Sequence, residues 1–199
     1  MRFHFCDDVG PDGFGWIAEE AMTRTSHALA ADGNVWLVDA LDWPSAIDRV
    51  LALGKPAGVI QLLDRHHRDC AALAERLGVP HVVAPDDLPG SPFTFVPVMR
   101  RKRWSESALW WPQTRTLVLA DALATNRFYT AGKAPLGVHL LLRLTPPKAL
   151  AAHEPERICV GHGEGLTGPG AAQALRDALA TSRRGLPGLL LRLPFAGRS

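Results

Sequence analysis

Three short runs of apolar residues in this sequence are each followed at once by side chains that can bind a cation or move a proton. Leu62-Leu63 leads into Asp64-Arg65-His66-His67-Arg68-Asp69-Cys70. Leu117-Val118-Leu119-Ala120 leads into Asp121, and Ile158-Cys159-Val160 into Gly161-His162-Gly163. Imidazole, carboxylate and thiolate are the donors that a zinc-class metal prefers. Sites gather where strands end and loops begin, so three such ends can share one pocket. The bland alternative for 65–70 is a charged helix start in solvent. Cys70 has two readings: a ligand or reactive thiol favoured by the helix dipole, or a small buried apolar residue.

The surrounding elements must place these ends together. Arg2–Cys6 reads as an opening strand. Ser26–Ala31 and Asn34–Asp39 read as a hairpin turning on Asp32-Gly33. After Pro44, Ser45–Leu53 has helical spacing and stops at Gly54. Gly58–Leu63 predicts a strand, His66–Gly78 a helix with Cys70, Leu73, Ala74 and Leu77 on one face, and His81–Ala84 a strand. Alternating strands and helices of this kind argue for an α/β layered fold. Strands at Phe93–Val98, Ser107–Trp111, Thr116–Ala120 and Arg157–Val160 follow. Helical patterns cover Gly137–Leu144, Pro147–His153 and Ala171–Arg184. The tail at 185–199 gives no reading.

With 47% apolar and 21% charged residues over 199 positions, the chain has the balance of one globular domain, 1–199. A net charge of +2 is too small to imply nucleic acid or membrane. The run Arg100–Trp104 could meet a phosphate backbone, but a short basic run is ordinarily a solvated loop, so a nucleic-acid partner is not expected. No run reaches the roughly 20 apolar residues of a spanning helix. Asp7 and Asp8 interrupt any leader-like segment, and three cysteines form no disulfide framework, so the expected location is cytoplasmic. Cys6 and Cys159 read as apolar strand residues. His4, His27, His66, His81, His139 and His153 carry no assignment. Tyr129 could polarise a carbonyl.

From about residue 26 to 183, the order of these segments resembles the metallo-β-lactamase superfamily. That family carries a His-x-His-x-Asp-His loop after a strand, a later histidine, a strand-ending aspartate and a Gly-His-Gly-like loop. Arg65–Cys70 resembles the first loop, Ser107–Trp111 with Thr116–Leu123 the strand pair delivering the aspartate, and Ile158–Gly163 the last loop. The resemblance implies a four-layer αβ/βα sandwich and a metal-dependent hydrolase acting on an ester, thioester, lactone or phosphoester.

It also implies a damaged metal centre. The first metal's positions read Arg65, His67 and Arg103, and a guanidinium has no lone pair to donate. The second metal's positions read Asp69, Cys70 in place of histidine, Asp121 and His162, all capable ligands. The expectation is one zinc or similar divalent ion, or none. In the metal-free alternative, Arg65 and Arg103 neutralise Asp69 and Asp121, and with His67 leave a positive pocket for a small anion or a protein partner.

Overall fold

The computed structural model describes residues 1–130, 132 and 134–184; the tail at 185–199, part of the expected 1–199 domain, lies outside the described residues. A six-stranded sheet takes its strands in chain order: β1 (Phe3–Cys6), β2 (Gly13–Ala18), β3 (Thr25–Ala31), β4 (Asn34–Val38), β5 (Lys55–Gln61) and β6 (His81–Val83). Its first four strands are antiparallel neighbours, and β4, β5 and β6 run parallel. Then come β7 (Thr94–Arg101), β8 (Trp104–Trp111), β9 (Thr116–Leu119), the small pair β10 (Leu123–Ala124) and β11 (Gly137–Val138), β12 (Arg157–Val160) and β13 (Leu166–Thr167). The second large sheet has the order β13-β12-β9-β8-β7, with β9 and β12 parallel.

Strand β4 shows how the layers arise. Successive side chains alternate between faces. Val35 and Leu37 pack with Ala46, Ile47 and Val50 of α1 (Pro44–Leu53) and Leu73 of α2 (Cys70–Leu77). Trp36 and Val38 join Leu109, Val118 and Ile158 of the second sheet. That same cluster takes in Leu175 and Leu179 of α4 (Ala171–Thr181), which follows the short α3 (Arg127–Thr130). Helices, sheet, sheet and helix form a four-layer αβ/βα sandwich. No described helix is long and apolar enough to cross a membrane.

The β3–β4 turn matches its Asp-Gly signal, with Asp32 at φ 50° and Gly33 at φ 75°. Elsewhere local pattern and structure part. The helix expected from His66 begins only at Cys70, because Arg68 adopts φ 41°, outside right-handed helical space. The expected helix at Gly137–Leu144 is β11 followed by a 3-10 turn at Leu140–Leu142. Gly137 lies against the α3 backbone, where an added Cβ would stand 2.3 Å from the Tyr129 carbonyl oxygen. Pro147–His153 contains a 3-10 turn, Lys148–Ala152. Strand β2 had no local signal clear of its glycines.

Candidate metal centre

Four strand exits, two from each sheet, meet at one end of the sandwich. Asp39 follows β4, His66 follows β5, Asp121 follows β9 and His162 follows β12. Since β4 and β5 are parallel, and β9 and β12 likewise, their carboxyl ends open together, the usual place for a site in a layered sheet. Gly161 permits the close approach of the last two exits: a Cβ there would stand 2.8 Å from the Ala120 carbonyl oxygen. Gly163, at φ 98°, then turns the chain beneath Thr125.

His66, Asp121 and His162 each offer a ligand atom within 4.8 Å of the others. Nε2 of His66 and Nε2 of His162 each lie 3.0 Å from the same atom, Asp121 Oδ1. The opposite ring nitrogens are anchored. His162 Nδ1 faces the Met22 carbonyl oxygen at 2.8 Å, and His66 Nδ1 faces Asp39 Oδ2 at 3.1 Å. As placed, each ring donates from Nε2 to Asp121 Oδ1; a cation taking that place would be met by the Nε2 lone pairs, with the ring proton kept at Nδ1 against its acceptor. Asp39 is itself held by the Leu62 N–H, which donates to Oδ1 at 2.9 Å. Histidines oriented by a carboxylate and a carbonyl are the usual second layer around a metal, so this donor set fits one cation.

Electrostatics agree with the geometry. Burial would raise the Asp121 pKa, but the hydrogen bonds from His162 and His66 outweigh it and hold the carboxyl well below its usual range. Burial and Arg68 oppose a charge on His66, yet Asp39 and Asp121 raise its pKa. Below the cluster, burial pushes Glu106 up to about 7. Its Oε1 accepts from the Asp121 and Ala122 N–H groups, and its Oε2 from Trp104 Nε1. Tyr129 Oη donates to Asp121 Oδ1 at 3.4 Å, and toward solvent the Arg65 guanidinium lies 4.4 Å from the Trp104 ring centre.

Of the four expected ligands, the structure brings together Asp121 and His162. Asp69 instead accepts the Asp42 N–H at 2.8 Å. Cys70 is fully buried against the α1–α2 core, its thiol 3.7 Å from the Ala40 carbonyl oxygen and pushed up to about 12 by burial. Arg65 is half-exposed and its Nη2 stands 3.6 Å from Asp121 Oδ2, while His67 and Arg103 are exposed. Of the arginines in this loop it is Arg68 that turns inward, donating to the carbonyl oxygens of Thr25, Asp39 and Gly161. His66, Asp39, Arg68 and Glu106 had no place in the sequence-based site. The available signals were Asp39 at a strand end and the run after Leu63, which contains His66 and Arg68. His66 occupies a position between the family's ligand positions, so the resemblance pointed past it.

No protein-family model matches the chain, and no curated protein does. Solved structures do. TMB-1 superposes with a TM-score of 0.60 at 9% identity, over 92% of this chain and 98% of that one. A DIM-1 metallo-β-lactamase gives 0.57 at 11%, over 92% and 99%. A metallo-β-lactamase from Pontibacter korlensis gives 0.56 at 11%, over 90% and 99%. At such identity the likeness speaks for architecture alone, and on that level it is plain: the chain has the metallo-β-lactamase fold.

Proposed function

We propose that this protein is a hydrolase-like member of its fold that keeps one divalent-cation position, held by His66, Asp121 and His162, and has lost the other. The observation that carries the reading is the shared approach of two Nε2 atoms to Asp121 Oδ1, each ring anchored from behind. Arg65 and Arg103, at positions that the sequence resemblance gives to metal-binding histidines, support the loss of the first position. When bound, a cation would supply Lewis-acid polarisation of a substrate carbonyl or phosphoryl oxygen. The chain's own residues do the rest. Asp39 and the Met22 carbonyl fix the two rings, Tyr129 Oη donates a hydrogen bond to Asp121, and Arg65 on Trp104 offers a charge for an anionic substrate group. Esters, thioesters, lactones and phosphoesters are the substrate classes to test.

Zinc titration of protein purified without chelator tests the reading, alongside hydrolysis of those four classes. Asp121→Asn is expected to remove one equivalent of bound zinc and any hydrolysis. Equal zinc binding by the variant would overturn the assignment.

A second reading follows from the 3.6 Å approach of Arg65 to Asp121. In it the arginine neutralises the carboxylate and the protein binds a small anion without catalysis. It requires that wild type take up no zinc at the Asp121 position and that Arg65→Ala weaken phosphate or carboxylate binding.

A further inference from the structure

A second set of donors lies between the two sheets, away from the strand-exit cluster. Asp7 follows β1, His27 is in β3 and Cys159 is in β12, and one ligand atom from each falls within 4.8 Å of the other two. His27 Nε2 stands 3.0 Å from Asp7 Oδ2, and the Gly165 N–H donates to Asp7 Oδ1 at 2.8 Å. Asp7 reaches this place by adopting φ 49°, which turns the chain inward at the end of β1.

Room for these groups is built by glycines. A Cβ on Gly15 would lie 3.0 Å from Cys6 Sγ and 3.1 Å from His27 Cδ2, so these two side chains share a space that only glycine leaves open. A Cβ on Gly165 would lie 3.0 Å from Asp7 Oδ1. His27 and Cys159 are 2% and 3% exposed, too enclosed for a thiol that attacks a substrate.

We infer that Asp7, His27 and Cys159 form a closed structural site for a thiophilic divalent cation such as zinc. Carboxylate, imidazole and thiolate are the donors of closed zinc sites, and enclosure without an open position is their mark. The ion would clasp the first sheet to the second, from β1 and β3 to β12. The sulfur would bind as thiolate and the His27 ring through a nitrogen lone pair. Strand β12 supplies a donor here through Cys159 and one to the strand-exit cluster through His162.

Cobalt(II) separates the two sites, because the strand-exit donors contain no sulfur. Full-length wild-type protein titrated with Co²⁺ is expected to develop a sulfur-to-cobalt charge-transfer band in the near ultraviolet. Asp121→Asn is expected to retain that band and Cys159→Ser to lose it. No such band in wild type at saturating cobalt, or an undiminished band in Cys159→Ser, overturns the inference. If Cys159→Ser does not fold, Asp7→Asn serves: it is expected to weaken the cobalt affinity read from the band by about tenfold or more, and unchanged affinity overturns the inference.

Discussion

Glu106 lies directly beneath Asp121, its Oε1 accepting the Asp121 N–H at 3.0 Å and the Ala122 N–H at 2.8 Å. It is fully buried, and it belongs to β8, next to the strand that delivers Asp121. The strand exit is thus held in place by a side chain from its neighbour. Glu106→Ala is expected to leave three buried donors unpaired, counting Trp104 Nε1, and to cost about 3 kcal/mol or more in chemical denaturation. Glu106→Gln keeps an acceptor and is expected to cost less.

Asp39→Asn is expected to weaken zinc binding by roughly 10–100-fold in calorimetric titration while leaving the fold intact. Asparagine tolerates the φ of 46° that Asp39 adopts and can still accept the Leu62 N–H. It removes the charge that orients His66 Nδ1. Unchanged affinity would mean that His66 is not a ligand.

Cys70→His would restore the family's ligand type without restoring a ligand. The position is fully buried among Leu73, Ala74 and Val59, so the larger ring is expected to destabilise the domain by roughly 1–3 kcal/mol. Melting with and without zinc checks this. Strong zinc stabilisation of the variant alone would show that the position does face a metal.

Arg68→Lys keeps the charge but cannot span three carbonyl groups drawn from both sheets. The expected loss is about 2–3 kcal/mol, the scale of one charge-assisted hydrogen bond, read from urea midpoints. A neutral result would show that the guanidinium clamp is dispensable.

Asp42 and Arg76 form a two-pronged pair between the loop after β4 and α2. The hydrogen bond from Arg76 lowers the Asp42 pKa. A carboxyl lowered on folding adds stability above its unfolded value, near 4, and loses it as pH falls through the folded one. Both groups are partly exposed, so the effect is expected to stay below about 1 kcal/mol. Arg76→Ala should flatten this acid-side slope in denaturation curves measured below pH 5.

Much of the layered fold could be read locally. Asp32-Gly33 specified its own turn, Gly54 and Gly78 ended their helices, and most strands carry their apolar runs in sequence. Order and spacing also placed Asp121 and His162 at strand exits, because a strand end is a local event. The elements that local pattern mistook are those shaped by contact: β11, where Gly137 rests on the α3 backbone, and the delayed start of α2 after Arg68.

The membership of the metal cluster was a tertiary matter. Asp69 and Cys70 are as capable of ligation as His66, and nothing in residue type separates them. What separated them was the left-handed turn at Arg68, after which Cys70 faces the α1–α2 core, while His66, upstream of the turn, reaches Asp121 across the gap between sheets. The grouping of Asp7, His27 and Cys159 has the same cause. Asp7 follows β1, His27 is in β3 and Cys159 in β12, and each looks ordinary alone. Sequence determined which donors exist and which strands end beside them. Only the packing of one sheet on the other decided which donors meet, because a shared site depends on distances between chain segments that local pattern does not encode.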